Sequence, residues 1–461
     1  MNESLKNLFT VSDLRKRVLF TLGLLAVYRV GHVITIPGVS LAALEAFAEQ
    51  LSRNSVFGLY DMFSGGNLSK VTIFALGIMP YISASIILQL LTVVWPYLEK
   101  LSKEGELGRR KITQYTRYGT ILLSVVQGLG IAIFLEKNSA PGGFNLVLNP
   151  GFAFRMMTVL TLTTGTCFIM WLGEQITERG IGNGMSLIIY SGIVVNMPRA
   201  VMQTLSQMRT GQIGLIRILV LIVLMALVVA AIVFVERGHR RVTVQYAKRV
   251  VGRRMYGGSS THIPLKVNTG GVIPVIFASS ILAFPATIAQ AIPGKFSEAV
   301  TTQLGFGMPL YNLLYVAGII FFTYFYTAII FNPDDVAENM RKYGGFVPGI
   351  RPGKRTAEYI DTILTRITLA GAIYLAIIAL LPNFLISGFR VAPIPFIGDW
   401  LDAALPKFIT EGMNVTFFFG GTSLLIVVGV AMDTVQQVES QLIMRHYDGF
   451  MKKSRIRGRR A

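Results

Sequence analysis

The chain has 461 residues, of which 52% are hydrophobic and only 15% are charged. In soluble domains about a quarter of the residues are charged. The low charge of this chain therefore excludes most soluble proteins and indicates a protein embedded in lipid. The 43 Lys and Arg outnumber the 24 Asp and Glu, and the net charge of +19 fits nucleic acid, an anionic membrane surface or acidic partner proteins. The apolar excess argues against a plain nucleic-acid binder.

Ten stretches of the chain are long and apolar enough to cross a membrane as helices, which takes about 20 residues each. The second and fifth are interrupted by glycine, proline and polar residues. The first stretch comes after a charged N-terminus, and no small-residue cleavage site follows the stretch itself. We therefore expect a retained helix rather than a removed signal peptide. The predicted fold class is therefore an all-α polytopic membrane protein with ten transmembrane helices. The predicted spans lie near residues 18–37, 71–95, 118–136, 153–175, 183–205, 216–235, 269–290, 310–331, 364–386 and 413–433.

The Lys and Arg of the connecting segments predict the orientation in the membrane. With the N-terminus inside, the inside segments hold 31 Lys and Arg, whereas the outside segments together with the outer ends of the spans hold 10. The remaining two, Arg29 and Arg366, also lie within predicted spans. We therefore expect both termini to be cytoplasmic, with an N-terminal segment at 1–17 and a basic tail at 434–461. Such a basic inside surface also makes anionic membrane lipids expected partners.

Two of the inside connections, at 236–267 and 332–361, are long. In the first, the alternation from Arg241 to Tyr246 has the period of a strand, so we expect a small β-hairpin that stands off the membrane. The second ends in FVPGIRPGKRTAEYID, whose prolines and glycines predict an irregular, exposed tip. Basic inside loops are what topology alone requires, but loops of this length also favour the docking of another molecule.

The sequence lacks the motifs of an enzyme. It has no acid near the middle of a predicted span, no phosphate-binding loop and no metal-ligand spacing, and its four histidines are scattered. A secondary transporter of a small solute, which is the alternative function, would need paired polar groups at mid-membrane. A lipid-handling membrane enzyme would need clustered His, Asp or Glu. We therefore predict a protein that is not an enzyme and that needs no cofactor and no metal.

Several segments depart from the plain pattern of an apolar helix. Residues 56–70, VFGLYDMFSGGNLSK, predict a re-entrant element in a protein-lined cavity, the alternative being an amphipathic helix outside the membrane. In TIFALGIMPYISASIILQLL, residues 72–91, we expect Pro80 to bend a helix and Gly77 to give it room. In WLGEQITERGIGNGMSLII, residues 171–189, the glycines predict a tight turn between two helices.

Two further segments lie in the second half of the chain. PLKVNTGGVIPVIFASS covers residues 264–280 and places the polar Asn268 at a helix entry, and FFFGGTSLLIVVGVAMD covers residues 417–433. In this order and on these sides of the membrane, the segments resemble the SecY family, the central channel subunits of the bacterial Sec protein translocase. The resemblance runs over nearly the whole chain, from Leu14 to the basic tail.

The resemblance implies a fold and a function. It implies two inverted, pseudo-symmetric halves of five helices, at 18–205 and 206–433, around an hourglass pore in the plasma (inner) membrane of a bacterium. The implied function is a channel that passes unfolded preproteins across the membrane and releases apolar segments sideways into lipid. The implied partners are the small membrane subunits SecE and SecG, the SecA ATPase, the ribosome, and preproteins with their signal peptides.

The resemblance also implies a pore ring of apolar side chains. An apolar constriction dewets and blocks ions, yet offers a passing polypeptide only weak contacts. Residues four apart share a helix face, so Ile78 with Ile82, and Met185 with Ile189, can each present two side chains to one lumen. Met185 departs from the isoleucine pattern of the family, but methionine is also apolar. The implied ring consists of Ile78, Ile82, Met185, Ile189, Ile276 and Ile426.

Three more groups of residues follow from the same resemblance. A plug that fills the outer funnel of the resting channel corresponds to Asp61, Met62, Phe63, Ser64, Gly65 and Gly66, whose glycines are expected to let it swing clear. A lateral gate includes the polar Ser83, Gln127 and Asn268, which we expect to hydrogen-bond across the closed seam. Docking of the motor or ribosome corresponds to Lys248, Arg253, Arg254 and Arg351 in the two long loops.

Overall fold

The structure is a computed structural model of the chain. It describes residues 12–40, 43–44, 64–138, 145–211, 214–246, 249–251, 254–256, 260–291, 303, 308–387 and 421–453. Several predicted site residues lie outside the described residues, namely Asp61, Met62 and Phe63 of the plug and Lys248 and Arg253 of the docking loop.

The described residues form twelve helices and five short strands. Each of the ten predicted spans overlaps one of the helices, and α3 and α10 are short additional ones. The helices are α1 Ser12–Gly31, α2 Met79–Val94, α3 Pro96–Lys103, α4 Glu106–Lys137, α5 Phe152–Arg179, α6 Gly184–Arg209, α7 Leu215–Glu236, α8 Ile273–Ala291, α9 Pro309–Ile330, α10 Pro333–Lys342, α11 Lys354–Ser387 and α12 Gly421–Lys453. The strands are β1 His239–Tyr246, β2 Arg249–Val251, β3 Arg254–Tyr256, β4 Ser260–Lys266 and β5 Gly345–Phe346.

The length and composition of the helices fit a membrane protein. Six of the described helices are long and apolar enough to cross a membrane, and a seventh span results if α2 and α3 are counted together. The axes of α2 and α3 are bent by 98° at the break between them. Large apolar side chains on α4, α5 and α7 remain exposed, among them Leu122, Leu160 and Leu219. Exposed apolar faces on long helices are what lipid-facing surfaces require.

The start of α2 differs from the prediction for residues 71–95. The helix begins only at Met79, and residues 71–78 are turns. Pro80 therefore lies in the first helical turn and bends nothing, so that expectation was wrong. The physical reason is that the missing amide of proline is no loss in a first turn, where the amides have no helical partner in any case.

The first helix also ends earlier than predicted, at Gly31 rather than near residue 37. After a short turn the chain runs antiparallel to the segment before α2, with an isolated bridge between Thr35 and Thr72. The amide of Ile36 donates to the carbonyl of Val71 over 3.0 Å, and the amide of Ile73 donates to the carbonyl of Ile34 over 3.0 Å. These bonds replace the helical ones that an uninterrupted span would have had.

The chain divides into two compact units. One comprises residues 1–199, 283–301 and 430–461, and the other comprises residues 200–282 and 302–429. In the first unit α4 packs on α5 and on α2, and α1 packs on α5. In the second unit α9 and α10 pack on α11, and β1 pairs with β4 and β5. A shared apolar core joins these strands to α10 and α11.

The β-hairpin predicted from the alternation of residues 241–246 is confirmed. Strand β1 pairs antiparallel with β4, with Val242 opposite Ile263. The predicted irregular tip of the other loop is shorter than expected, because α10 occupies residues 333–342 and α11 already begins at Lys354. Between them, β5 pairs with β1 to complete a sheet of order β4-β1-β5.

Candidate functional site

The segment from Ser64 to Ile78 is irregular and buried, which is unusual for a chain of apolar helices. Phe74, Ala75 and Leu76 are almost completely buried, as is the polar Thr72. Backbone without helical hydrogen bonds is tolerated at membrane depth only where protein surrounds it. The prediction that residues 56–70 enter a protein-lined cavity therefore agrees with the environment of their described part, 64–70.

A polar cluster organises this segment around Asn67, whose side chain is fully buried. Its Oδ1 accepts from Thr72 Oγ1 over 2.9 Å and lies 2.5 Å from His32 Nδ1, which requires the proton of His32 on that nitrogen. Its Nδ2 donates to Tyr28 Oη over 3.1 Å and to the carbonyl of Ser64. The four contacts use the two acceptor sites and the two donors that an asparagine side chain offers.

Two glycines bring this segment close to α6. Gly65 has a φ of +75°, which favours glycine, and a Cβ at Gly65 would lie 2.8 Å from the Cα of Gly192. The contact is mutual, since a Cβ on Gly192 would lie 3.0 Å from the Cα of Gly65. Here the glycine serves close backbone packing, a use that the sequence pattern did not predict. Whether the glycine also serves as a hinge stays a prediction.

Four of the ring residues belong to the first unit. Ile78 directly precedes α2 and Ile82 lies one turn further on, and both are buried. On α6, Ile189 is buried, while Met185 is half-buried and its Sδ packs on Gly173 of α5. The other two ring residues are in the second unit.

In the second unit, Ile276 on α8 and Ile426 on α12 are both buried. The residue just before α8 contacts α12, since a Cβ at Gly429 would overlap the side chain of Val272. All six predicted positions are therefore placed on helices or at a helix start, and their assembly into one ring stays a prediction.

The three predicted gate residues are buried, at 8% exposure for Ser83, 8% for Gln127 and 3% for Asn268. Asn268 Nδ2 donates to Glu236 Oε1 over 2.7 Å and to the carbonyl of Gly271 over 2.9 Å. The amide oxygens of Gln127 and Asn268 are both buried without a hydrogen-bond partner among the described residues. Each is an acceptor that a donor could satisfy at low cost.

The turn between α5 and α6 is fixed by side chains from several helices. The predicted tight GIGNG turn is confirmed, with Gly182 at a φ of +86°. Its amides have side-chain partners: Ile181 N donates to Thr21 Oγ1 (3.1 Å), Gly182 N to Gln437 Oε1 (3.0 Å), Gly184 N to Thr177 Oγ1 (2.9 Å) and Met185 N to Asn183 Oδ1 (3.1 Å). Because α6 starts here, these bonds set the position of the helix that carries Met185 and Ile189.

The two long loops form one folded body. Val242, Val244 and Leu265 of the first loop share a core with Met340 and Val347 of the second. This core also includes Ile360 of α11, so the loop body is anchored on a helix that is long and apolar enough to cross a membrane.

Arg351 lies at an exposed position on this body. Its carbonyl accepts from Thr356 Oγ1 over 3.0 Å, which fixes the backbone before α11. A shallow cleft of about 460 Å³ beside it is lined by Arg351, Arg355 and Tyr359 among others. Of the other predicted docking residues, Arg254 begins β3.

Several functional candidates escaped the sequence interpretation. Asn67 lies in segment 56–70 outside the predicted plug core, His32 is one of four scattered histidines, and Glu236 lies in a loop. The signal that points to His32 and Glu236 is an ionisable residue within or next to an apolar span, where such residues are rare.

Comparisons with known proteins show the family and the fold of the chain. The family model described as SecY matches residues 72–435. The protein translocase subunit SecY of Escherichia coli (strain K12) is 50% identical over 452 residues, which are 97% of this chain and 96% of that protein. The protein translocase subunit SecY of Aquifex aeolicus is 44% identical over 454 residues, which are 98% of this chain and 100% of that protein.

Two solved structures show the same fold. One, described as a protein-conducting channel, has a TM-score of 0.62 at 17% identity and covers 93% of this chain and 92% of its own. The other is Sec61 in the canine ribosome–channel complex from the endoplasmic reticulum, with a TM-score of 0.59 at 17% identity and the same coverage. At this identity the likeness concerns the fold.

Proposed function

The chain belongs to the SecY family, and we propose on this basis that it is the channel subunit of a protein translocase, a multi-pass membrane protein that conducts unfolded polypeptides. The observation that carries the proposal is the 50% identity to a translocase SecY subunit over 97% of the chain. The described helices, with their exposed apolar faces, fit a protein that spans the membrane several times. The family is not one of enzymes, and no observation favours a transporter of small solutes.

The proposed conduit runs between two inverted halves, at 18–205 and 206–433, and is narrowest at an apolar ring. Its members are the six predicted positions Ile78, Ile82, Met185, Ile189, Ile276 and Ile426. Support comes from their apolar chemistry and from their placement at or near the ends of helices. An apolar ring excludes water and ions when idle, and it grips no particular sequence when a polypeptide passes.

The proposed plug is the segment 56–70, which includes Asp61–Gly66. Its described part is irregular, buried and packed on α6, as a re-entrant element requires. In the resting channel the plug blocks the outer funnel, and it leaves this place when a polypeptide enters.

The proposed lateral gate lets apolar segments leave for lipid. It involves the buried polar side chains of Ser83, Gln127 and Asn268. The unpaired oxygens of Gln127 and Asn268 support this role, because a buried acceptor without a donor favours any rearrangement that supplies one. We add Glu236 to the proposed gate residues, because it accepts a hydrogen bond from the side chain of Asn268.

The proposed docking body comprises the loops at 236–267 and 332–361. Its predicted contacts are Lys248, Arg253, Arg254 and Arg351, with an ATPase such as SecA or a translating ribosome as the partner. A ribosome partner is supported by the likeness to Sec61 in a ribosome–channel complex. SecE and SecG are the proposed small membrane subunits, and anionic lipids the proposed lipid partners. We place the protein in the bacterial inner membrane with both termini in the cytoplasm.

A reconstitution experiment tests the proposal. The complex purified from its own membranes is placed in lipid vesicles and supplied with motor, ATP and a labelled preprotein that carries a signal peptide. We expect the preprotein to become resistant to added protease until detergent opens the vesicles. If an active motor drives no protection although the channel complex is intact, the proposed function is wrong.

A further inference from the structure

The carbonyl of Ser64 is bound by two side chains. It accepts from Tyr28 Oη over 3.3 Å and from Asn67 Nδ2. Ser64 is fully buried, so water cannot replace these donors. We propose that Asn67, near the C-terminal end of the plug, is a latch: a positioning residue that ties the part of the plug up to Gly66 to α1 and thereby holds the resting channel closed. The proposal rests on the proposed function and deepens its account of the plug.

The hydrogen-bond partners of Asn67 on this side come from α1 and the turn that follows it. Tyr28 is a residue of α1, and its ring stacks on Phe74 with the ring centroids 5.6 Å apart. Phe74 in turn lies so close to Gly31 that a Cβ there would overlap its ring. His32 follows at the end of α1 and contacts Asn67 Oδ1. Asn67 therefore connects the plug to a surface that packing already immobilises.

The side of the plug toward α6 has a different character. There Gly65 meets Gly192 of α6 through backbone atoms alone, and a Cβ added at the neighbouring Gly66 would reach Asn196 of α6 only at ordinary van der Waals distance. Contacts of this kind constrain shape but resist separation little. Tyr28 and Asn67, by contrast, hold the carbonyl of Ser64 with directional hydrogen bonds, which resist its displacement.

A latch must release as well as hold. When Ser64 moves away, Asn67 loses one donor contact but keeps Tyr28, His32 and Thr72 as partners, because those bonds do not involve the part of the plug up to Gly66. No asparagine group is left fully unpaired, so the cost of opening at Asn67 is the bond to one carbonyl. Downstream, Thr72 remains tied to the chain after α1 through the bridge to Thr35, so residues from 67 onward keep their place.

The test measures how often the resting channel conducts ions. Asn67→Leu and Tyr28→Phe are made in the full chain, and each complex is purified from its own membranes and fused with planar lipid bilayers without substrate. We expect the open probability to rise about tenfold for Asn67→Leu and by less for Tyr28→Phe, which removes the two bonds of Tyr28 Oη but keeps the stacked ring and the bond from Asn67 to Ser64. Asn312→Leu is the matched control, a buried asparagine of α9, and should leave the open probability at the wild-type value.

Two further results decide between a latch and a damaged fold. In the vesicle assay, Asn67→Leu should translocate a preprotein at least as fast as the wild type, because a weaker latch favours opening. Wild-type open probability in both variants would overturn the latch, and so would a leak accompanied by lost translocation. The failure of the wild type to translocate would instead count against the proposed function, which keeps the two claims separable.

Discussion

Gln245 of β1 lies opposite Phe346 of β5 in the antiparallel register of one sheet. These residues come from the two long loops, which are separated in sequence by α8 and α9. The pairing, together with the core around Val244 and Ile360, makes the loops one body. A partner that binds either loop therefore also acts on the other loop, and on α11, which shares their core.

A substitution at Gly345 should separate the two loops. A Cβ there would lie 3.0 Å from the ring of Tyr246 and 3.2 Å from Val244, so valine at this position forces β5 away from β1. We expect Gly345→Val to expose residues 345–353 to limited proteolysis and to weaken motor binding. Tyr343→Val, at an exposed position two residues earlier, is the control and should change neither. Unchanged proteolysis of Gly345→Val would show that the loops do not depend on this pairing.

Charge reversal at Arg351 should weaken docking without unfolding the protein. The side chain is exposed, and its guanidinium can bind a carboxylate or a phosphate through two hydrogen bonds. A glutamate at this position would repel the same groups. We expect Arg351→Glu to weaken motor or ribosome binding at least tenfold, measured by co-sedimentation with vesicles. Arg209→Glu changes the net charge equally on the opposite predicted side of the membrane and should bind normally. Equal loss in both variants would assign the effect to net charge.

Hydropathy and periodicity predicted most of the fold. The ten apolar stretches each overlap a helix, and the alternation from Arg241 to Tyr246 predicted β1. They could not predict that residues 71–78 are turns, because an apolar run has the same composition whether or not it is helical. Nor could they predict β5, since a strand of two residues has no period and depends on a partner distant in sequence.

The site was predicted only in part, and for a physical reason. Apolar ring positions follow from a family pattern, whereas the polar cluster of Asn67 exists only when Tyr28, His32 and Thr72 meet in space. Hydrogen bonds between residues this far apart leave no periodic signal. In the same way, the bond from the Asn268 amide to Glu236 joins residues 32 positions apart and has no signal in the sequence pattern. The bond of Asn268 across the gate seam stays a prediction.

Replacement of the gate asparagine should alter membrane insertion. Opening a gate toward lipid exposes Asn268, and a polar amide in hydrocarbon costs about 1 kcal/mol or more. We expect Asn268→Leu to lower the hydrophobicity at which a test segment inserts, by about 1 kcal/mol on a graded series of segments. Asn312→Leu serves as the comparison and should keep the wild-type threshold. An unchanged or raised threshold in Asn268→Leu would exclude the residue from the gate.

The turn before α6 should loosen when its contact with α1 is removed. Thr21 Oγ1 is the acceptor for the amide of Ile181, and valine has the same shape without the oxygen. We expect Thr21→Val to raise the hydrogen-exchange rate of the Ile181 amide about fivefold, as the loss of about 1 kcal/mol implies. Thr210→Val, at the exposed position directly after α6, should leave that rate unchanged. An unaltered rate in Thr21→Val would mean that other contacts hold the turn.

The central claim, that a polypeptide passes through the apolar ring, is tested most directly by crosslinking. A photoreactive side chain is placed at Ile82 or Ile276, or at the exposed Leu219 of α7 as a lipid-facing control, and a preprotein is arrested halfway through the membrane. We predict adducts between the preprotein and the first two positions but not with Leu219. An arrested preprotein that forms no adduct at Ile82 and Ile276, or forms one equally at Leu219, would contradict the account.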